Sequence, residues 1–334
     1  MLPFKVSYDK PRMAINDALN PAVVKTELDA VFYQEFDKTE MGRGYATVFS
    51  PLFKQMTMDN GAYILQTYGG SGFWSRKGEE QNVPQQDVVF KNKQTFYAET
   101  WADSRKISKE FFDDNMHDAY EMIVKDMAEN ARETRNLIGF GVYRAAFSGT
   151  DPYNGISYVT GDGVSWINTA HVTSAGTVSN QVAGNPTLTP NSLFEAITGL
   201  ETQRKEGGVV GAQQAKYLVV APENLRNAIQ VTQSEYVSTS GNNAIEIFSN
   251  LYGLQTLSSP YLGTSFGGFG TNQEGFIVLS DNHSCTRWER EGITTDLVDY
   301  IYQENDNYIY KGRYRDQYGV INYIGAFGSN GSNS

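Results

Sequence analysis

The chain has 334 residues, 40% hydrophobic and 19% charged, a composition typical of a folded protein with two or three packed subdomains. Its net charge of −11 argues against tight nucleic-acid binding, which needs clustered Lys and Arg, and its single cysteine, Cys285, excludes an intramolecular disulfide framework. The N-terminus lacks the apolar core of a signal peptide, and no run of about 18 apolar residues occurs. We therefore expect a soluble protein made in a cytoplasm.

The first half of the chain predicts one helix and then an extended β-hairpin. AVVKTELDAVFYQEF, residues 22–36, follows Asn20-Pro21, which is a good helix start. Between residues 50 and 100, short β-like runs such as AYILQTY and TFYAETW flank the Gly-rich turn GGSGFWSRKGEE. A hairpin this long and polar has little core of its own, so it usually lies on a partner.

A long amphipathic helix is predicted after Ser108, a candidate N-cap with Glu110, Asp113 and Asp114 close behind it. Apolar side chains recur there at alternating steps of three and four, which fits a helical period. This stripe consists of Met116, Tyr120, Ile123, Met127, Ala131, Thr134, Ile138, Val142 and Ala145. Polar residues, Arg132 among them, are predicted to take the other faces. About thirty residues give a rod of about 45 Å, which is long enough to be a spine for other elements.

Helices and strands alternate in the second half. TLTPNSLFEAITGLETQRKEGG predicts a helix with Thr189 as N-cap and Pro190 at its first position, ending at Gly207-Gly208. KYLVVAP and GFIVLSD predict buried strands, and PENLRNAIQVTQS predicts a second amphipathic helix. The terminal GSNGSNS is predicted to be a disordered tail.

The last predicted strand, DNYIYKGRYRDQYGV, has one aromatic and one basic face. Tyr308, Tyr310 and Tyr314 point one way, while Lys311, Arg313 and Arg315 point the other. A basic strand face of this kind is more typical of a solvated or subunit-contacting surface than of a nucleic-acid site.

The loop Asp162–Asn180 contains the ingredients of a hydrolase site. Ser165 could meet His171, with Asp162 orienting the imidazole. However, there is no nucleophile elbow, and all three residues lie on one short loop instead of converging from several elements. A structural loop, with its polar side chains bonding tight turns and His171 packed, is the favoured interpretation.

Other site chemistries are weakly supported. His117, His171 and His283 lie far apart without metal-ligand spacing, and the glycine runs match neither the dinucleotide nor the P-loop fingerprint. The acidic EFFDDN, residues 110–115, is typical of a solvated helix start more than of paired catalytic carboxylates. We therefore predict no catalytic activity, no cofactor and no metal.

The order of these pieces resembles the major capsid proteins of tailed bacteriophages, with the Hong Kong 97-type fold, among the Mu-like and related groups. The resemblance rests on the extended hairpin, ISKEFFDDN entering a long helix, DGVSWINTAH, LVVAP before a helix, and the final KGRYRDQYGV strand. Mu-like relatives carry a similar loop pattern, here Asp162, Gly163, His171, Gly176, Ser179 and Asn180.

The resemblance implies an α+β capsid fold with four parts. Residues 1–50 correspond to an N-terminal arm and 51–101 to an extended loop over a neighbouring subunit. Residues 102–185 with 290–334 correspond to a peripheral domain holding the spine helix, and 186–289 to an axial domain. The loop after the spine helix would then connect the peripheral and axial domains.

The function implied is a self-assembling icosahedral shell protein of the virion, enclosing double-stranded DNA without sequence-specific binding. Its expected partners are its own copies in hexamers and pentamers, a portal protein, and a separate scaffold and a cement protein as open options; assembly would take place in the host cytoplasm. Because the arm starts almost at Met1, an internal scaffold segment is not expected. Some relatives crosslink Lys to Asn, but nothing selects a partner for Lys77. Two alternatives stay open: a cellular encapsulating compartment of the same fold, and the hydrolase using Asp162, Ser165 and His171.

The expected subunit contacts lie at the hairpin tip. There, two large aromatics stand among four charges, and nothing nearby in sequence can cover them. We expect a neighbouring subunit to bury the aromatics while the charges pair around the rim. The predicted contact residues are Phe73, Trp74, Arg76, Lys77, Glu79 and Glu80, together with the basic face Lys311, Arg313 and Arg315.

Overall fold

The computed structural model of the protein describes residues 21–37, 51–70, 72–85, 90–110, 117–233, 253–269, 273–299 and 307–332. The helices are α1 (Pro21–Phe36), α2 (His117–Arg144), α3 (Pro190–Glu201) and α4 (Leu225–Gln233). The strands of the first half are β1 (Lys54–Thr57), β2 (Ala62–Tyr68), β3 (Phe90–Tyr97), β4 (Glu99–Ser108), β5 (His171–Thr173) and β6 (Gly176–Val178). Those of the second half are β7 (Ala215–Val220), β8 (Gln255–Ser258), β9 (Phe276–Ser280), β10 (Cys285–Val298), β11 (Asn307–Val320) and β12 (Ala326–Ser329).

The chain divides into two compact units. The first contains Met1–Lys38, Thr100–Glu133 and Glu291–Tyr314, and the second contains Thr39–Glu99, Thr134–Arg290 and Arg315–Ser334. The four predicted capsid domains follow other boundaries, and those boundaries stay a prediction.

The core of the first unit forms where α1 meets the first half of α2. Leu28 and Phe32 of α1 are fully buried, together with Val124 of α2 and Tyr310 of β11. The Phe32 and Tyr310 rings meet at a centroid distance of 6.1 Å. Asp29 adds a polar link, because it accepts hydrogen bonds from the hydroxyls of Tyr310 (2.8 Å) and Thr295 (2.7 Å).

The spine helix α2 is present with 28 residues, as the apolar period predicts. The predicted stripe is buried at Tyr120, Met127, Ile138, Val142 and Ala145, but Ile123 is only half-buried and its neighbour Val124 is fully buried. Arg132, predicted on a polar face, is 7% exposed, because its guanidinium reaches the Glu35 carbonyl oxygen (3.1 Å) and the Glu133 carboxylate (3.3 Å). A long side chain can bury its stem and still satisfy its charge in this way.

Ser108 is the last residue of β4, which extends over ten residues from Glu99 and whose Ile107 enters the first-unit core. Residues 109–110, directly after it, are helical. Residues 111–116, with Asp113 and Asp114, lie outside the described residues, so the role of Ser108 as an N-cap stays a prediction.

The second unit is built on the four-stranded sheet β12-β9-β7-β8. β7 pairs parallel with β8 and antiparallel with β9, and its residues Leu218 to Val220 are fully buried. Helices α3 and α4 cover one face of this sheet. Thr189 caps α3 as predicted, in a capping box with Ser192.

Two predicted boundaries in the second unit were wrong. Helix α3 ends at Glu201 and not at Gly207-Gly208, because the chain turns there into a loop closed by a bridge between Arg204 and Val210. The predicted tail begins with the end of β12, whose Ser329 is fully buried and donates a hydrogen bond to the Pro186 carbonyl oxygen at 2.6 Å. Backbone pairing with β9 orders this segment despite its Gly- and Ser-rich composition.

A second sheet has the order β1-β10-β11-β4. Strand β11 shows the predicted alternation. Tyr308, Tyr310 and Tyr314 are buried, Lys311 and Arg313 are exposed, and Arg315 is half-buried. Arg313 donates to the Glu291 carboxylate at 2.7 Å.

Candidate functional site: the extended hairpin and its root

The predicted extended hairpin consists of β2 and β3, paired antiparallel with a bulge between Gln66 and Tyr68. The hairpin root, residues 62–70 and 90–97, has an inner face that packs on its own unit. Phe96 stacks on Trp288 with ring centroids 3.9 Å apart, and Tyr63 lies 5.9 Å from the same ring. Gly319 makes the close approach possible, because a Cβ there would lie 2.6 Å from the Phe96 ring.

A buried amide fixes the register of the root. The Gln94 side-chain nitrogen donates to the carbonyl oxygens of Val159 (2.8 Å) and Val320 (3.2 Å). These two acceptors belong to the loop after α2 and to the end of β11. The hairpin therefore leaves its unit at a defined position.

The outer face of the root carries large apolar side chains. Ile64, Phe90 and Tyr97 are exposed to 59%, 60% and 66%. Tyr97 lies opposite Ala62, and Ile64 lies opposite Thr95, so these side chains share the face that points away from Trp288. The sequence shows the aromatics but not the face that they occupy, which depends on the pairing register.

The hairpin tip presents the predicted aromatics to solvent. Trp74 is 94% exposed and Phe73 is 73% exposed. The four predicted charged residues, Arg76, Lys77, Glu79 and Glu80, are exposed on the same segment, around a turn in which the Gln81 backbone N–H donates to the Gly78 carbonyl oxygen at 3.3 Å. The structure therefore places these six predicted residues together, whereas Lys311, Arg313 and Arg315 belong to β11. Their role in subunit contacts stays a prediction.

The root also rests on two turns that the sequence did not connect with the hairpin. Ser174, in the β5–β6 turn, donates its hydroxyl to the Gly69 carbonyl oxygen at 2.6 Å. Gly70 has a φ of +69°, and a Cβ there would lie 2.7 Å from the Gly207 backbone nitrogen. Glycine is needed at position 70 for both the backbone conformation and the close approach. The adjacent Gly-Gly pairs in the sequence were the only signal of this contact.

The loop Asp162–Asn180 is organised around His171, which is fully buried and stacks on Tyr323 at 4.7 Å. The His171 Nδ1 atom lies 2.8 Å from Asp162 Oδ2, and its Nε2 atom lies 3.1 Å from Asn180 Oδ1. Asn180 also accepts the Asn168 backbone N–H (2.8 Å) and donates to the Trp166 carbonyl oxygen (2.8 Å). The polar residues of the loop thus bond its own turns, as a structural loop requires.

The hydrolase arrangement is not assembled. Asp162 does orient His171, but the other imidazole nitrogen is held by Asn180 and not by Ser165. The Ser165 hydroxyl instead donates to the Ile167 carbonyl oxygen at 3.1 Å and accepts from the Asn168 amide at 3.0 Å. A serine nucleophile needs a base in hydrogen-bond reach, and here both ring nitrogens are already engaged.

Asp162 is held as a carboxylate. Its partial burial would raise its pKa, but hydrogen bonds from His171 and from the Thr160 hydroxyl outweigh burial, and the pKa lies below the ordinary aspartate value. Hydrogen bonds to its oxygens thus keep Asp162 ionised beside the buried His171.

The other histidines do not join this cluster. His283 donates from Nε2 to the Pro51 carbonyl oxygen at 3.1 Å, and the side chain of His117 lies outside the described residues. Within the described ranges, no three His, Cys, Asp or Glu side chains are grouped so that they could hold a metal ion. In the same ranges, no helix has both the length and the apolar character needed to cross a membrane.

Comparisons with known proteins agree with this architecture. A model of the phage capsid protein family matches residues 92–327, which is most of the chain. No curated protein matches the sequence.

The solved capsid structures of two GTA particles share the fold at low sequence identity. The capsid of an empty GTA particle aligns over 93% of this chain and 98% of its own, with 10% identity and a TM-score of 0.52. The capsid of a native GTA particle aligns over 87% and 94%, with 10% identity and a TM-score of 0.50. The capsid of the cyanophage P-SCSP1u aligns over 87% and 90%, with 13% identity and a TM-score of 0.49.

The predicted α+β capsid fold and the resemblance to tailed-phage capsid proteins are thereby confirmed, while placement in a Mu-like group stays a prediction. The matched family is one of phage capsids, which favours a virion shell over a cellular compartment. The chain belongs to the phage capsid protein family and is a major capsid protein, a structural subunit of a particle shell.

Proposed function

We propose that this capsid protein closes its shell through the extended hairpin, whose tip and outer face lie on a neighbouring subunit. The observation that carries the proposal is Trp74, which is 94% exposed at the end of a hairpin whose inner face is already buried on its own unit. Ile64, Phe90 and Tyr97 extend the apolar surface along the outer face of the root. Large contiguous apolar surfaces on soluble proteins mark interaction sites.

The energy available at such a contact is large. A Trp side chain buries roughly 150–250 Å², which at about 25 cal/mol per Å² is an upper estimate of roughly 4–6 kcal/mol. Truncation of an interface Trp typically costs about 2 kcal/mol or more, since part of that energy offsets the loss of side-chain and rigid-body freedom. Repeated at every subunit, one contact of this size decides whether a closed shell persists.

The charged residues support the same proposal in a different way. Arg76, Lys77, Glu79 and Glu80 surround the tip aromatics and are all exposed, which suits a polar rim of paired charges. Lys311 and Arg313 are proposed as a second contact, made by the exposed face of β11. Rim charges select the partner and the register more than they add affinity.

The particle formed in this way is proposed to be an icosahedral shell of hexamers and pentamers that encloses double-stranded DNA. The net charge of −11 suits a shell that encloses DNA without binding it tightly, because a basic inner surface would bind the DNA phosphates along the whole genome. A portal protein, and a separate scaffold or cement protein, are proposed partners, with assembly in the host cytoplasm. The hydrogen bonds that occupy His171 support a role without catalysis.

The domain assignment is part of the proposal. The hairpin belongs to the extended loop 51–101, between the arm 1–50 and a peripheral domain formed by 102–185 and 290–334. Residues 186–289, which contain β7, β8 and β9 of the sheet β12-β9-β7-β8, would form the axial domain that meets its copies around capsomer axes, while β12 comes from the segment 290–334.

The test is a pair of substitutions at Trp74, compared with wild type under conditions in which the wild-type chain forms particles. Trp74→Ala is expected to fold normally but to give few closed particles, whereas Trp74→Phe, which keeps an aromatic ring, should assemble nearly as well as wild type. Circular dichroism and electron microscopy on the same samples separate folding from assembly. Wild-type yields of stable shells from Trp74→Ala would show that the tip is not a subunit contact.

A further inference from the structure

Asn-Gly steps are the positions in a protein chain where an asparagine side chain reacts most readily with its own backbone. The chain has three such steps, at Asn60, Asn154 and Asn330. The glycine nitrogen attacks the Asn Cγ atom and loses its proton, ammonia leaves, and water then opens the cyclic imide to aspartate or isoaspartate. Glycine permits this attack because it has no Cβ and few conformational restrictions. Hydrogen bonds on the two reacting groups therefore determine which step reacts in the folded chain.

Asn154 is restrained at both reacting groups. The Gly155 backbone N–H donates to the Asp151 carbonyl oxygen at 2.9 Å, so the attacking nitrogen is engaged. The Asn154 Oδ1 atom accepts the Ile156 backbone N–H at 2.9 Å, which holds the side chain. Reaction at this step requires both hydrogen bonds to break.

Asn330 is restrained in the same way. The Gly331 backbone N–H donates to the Ser329 hydroxyl at 3.2 Å. The Asn330 Oδ1 atom accepts the Ser332 backbone N–H at 3.0 Å. Gly331 also packs closely on the chain, because a Cβ there would lie 2.6 Å from the Glu274 carbonyl carbon. This step is therefore held as firmly as the step at Asn154.

Asn60 differs from both, because it lies exposed in the turn between β1 and β2. Among the described residues, neither the Asn60 side chain nor the Gly61 backbone N–H forms a hydrogen bond. The Gly61 carbonyl oxygen accepts the Ala98 backbone N–H at 3.0 Å. This bond holds the turn on the hairpin root and leaves the attacking nitrogen free.

Two guanidinium groups lie at the same turn. Arg290 donates from Nη1 to the Met58 carbonyl oxygen at 3.0 Å. Arg315 is half-buried, and its Nη2 atom would lie 3.9 Å from a Cβ at Gly61. Within the described ranges, Arg315 has no ion-pair partner, and its buried Nε has no hydrogen-bond partner. A guanidinium without an anion thus lies beside the glycine of the unrestrained step.

The Arg315 guanidinium favours the attack electrostatically. Negative charge develops on the Gly61 nitrogen as its proton leaves, and then on the side-chain oxygen of Asn60. A nearby cation stabilises that charge, and arginine remains cationic throughout the neutral range. The carboxylate of Asp59 opposes this effect, but Asp59 is exposed, so solvent screens its charge more than that of the half-buried guanidinium.

We propose that Asn60 is a site of spontaneous conversion to aspartate and isoaspartate, promoted by the guanidinium of Arg315. The product places a carboxylate beside a cation that has no partner among the described residues. Isoaspartate also adds one backbone carbon directly before Gly61, whose carbonyl oxygen binds Ala98 at the hairpin root. The reaction takes place within one subunit and does not depend on the assembly contact proposed above.

Peptide mapping by mass spectrometry tests the proposal on the full-length chain, using folded, unassembled subunits incubated in neutral buffer and digested with an acid protease. Replacement of the amide NH₂ by OH identifies the product by mass, and isoaspartate separates from aspartate by chromatography. Asn60 is expected to react at least about tenfold faster than Asn154 and Asn330, the effect of one hydrogen bond on a rate. In urea, where the restraints are absent, the three rates should be comparable. Equal rates at the three steps in the folded chain would overturn the proposal.

Variants separate the contribution of the turn from that of the guanidinium. Gly61→Ala should nearly stop the reaction without disturbing the fold, because Gly61 does not have a positive φ and a Cβ there has room.

Arg315→Gln should slow the reaction about three- to fivefold, the value of a partly exposed charge, whereas Arg315→Lys should retain most of the rate. The matched control is Arg226→Gln, which removes an exposed arginine from α4 of the same unit and should leave the rate unchanged. Circular dichroism confirms that each variant is folded. A wild-type rate in folded Arg315→Gln would refute the role of the guanidinium, and a wild-type rate in Gly61→Ala would refute the attack by the Gly61 nitrogen.

Discussion

A buried ion pair joins the end of the spine helix to the loop that follows it. Arg144 and Asp151 are 0% and 1% exposed, and the guanidinium donates to both carboxylate oxygens, at 2.7 Å from Nε and 2.6 Å from Nη2. Arg144 also donates to the carbonyl oxygens of Tyr261 (2.9 Å) and Leu137 (3.0 Å). Arg144→Met removes all four bonds and leaves the Asp151 charge buried without its partner.

Removal of one partner from such a pair costs about 3–5 kcal/mol, out of a total stability of roughly 5–15 kcal/mol for a folded domain. The matched control is Arg105→Met. The Arg105 side chain is 31% exposed and pairs with Asp103 and Asp126, which are 49% and 64% exposed. Loss of a surface pair of this kind is expected to cost about 0–1 kcal/mol.

Urea denaturation of unassembled subunits measures both costs. The double variant Arg144→Met/Asp151→Leu should recover most of the stability lost in Arg144→Met, because it no longer buries an unpaired charge. If the free energy of unfolding of Arg144→Met lies within about 1 kcal/mol of the wild-type value, the pair behaves as a surface pair and its assignment to the core of the second unit is mistaken.

Two further predictions concern the spine helix and a buried histidine. Val124→Asp should abolish soluble folding, because Val124 is fully buried, whereas Ile123→Asp should give reduced but measurable soluble protein; equal yields of the two variants would show that the helix phase is wrong. Burial lowers the pKa of His283 to about 4, and its Nδ1 has no hydrogen-bond partner in the described part of the chain, so the folded state binds this proton less readily than the unfolded state. The contribution of His283 to the free energy of unfolding is therefore fully present above the ordinary histidine pKa of about 6.5, and it falls by roughly 3 kcal/mol as the pH drops towards 4. Denaturation midpoints of wild type and His283→Gln across this range check it, and an equal acid loss in both would assign the effect to other groups.

Elements with a long, regular pattern could be predicted from the sequence. The period of the spine helix and the strict alternation of Tyr308, Tyr310 and Tyr314 each report a local geometry that the tertiary structure preserves. Boundaries set by distant partners could not be predicted. Ser108 lies in a strand because Ile107 enters the first-unit core, and Ser329 is ordered by pairing with β9 and by the Pro186 carbonyl.

The candidate site also has one part that the sequence predicts, the hairpin tip, and one part that it does not, the hairpin root. The sequence alone predicts that Trp74 stands near a Gly-rich turn with charges beside it, because all these residues are local. The position of the hairpin root depends on contacts between segments that are far apart in sequence. Gln94 meets the Val320 carbonyl oxygen, and Ser174 meets Gly69, only after the chain has folded. The contact of the second His171 ring nitrogen with Asn180 likewise forms only in the folded loop, and no sequence pattern reports it.

Electron cryomicroscopy of particles assembled from this chain tests the central claim most directly, because it locates Trp74 within the shell. The account predicts closed icosahedral particles in which each hairpin lies across a neighbouring subunit, with Trp74 buried in that neighbour and Phe96 still stacked on Trp288 of its own subunit. Closed particles in which Trp74 remains in solvent, or packs on its own subunit, would contradict it.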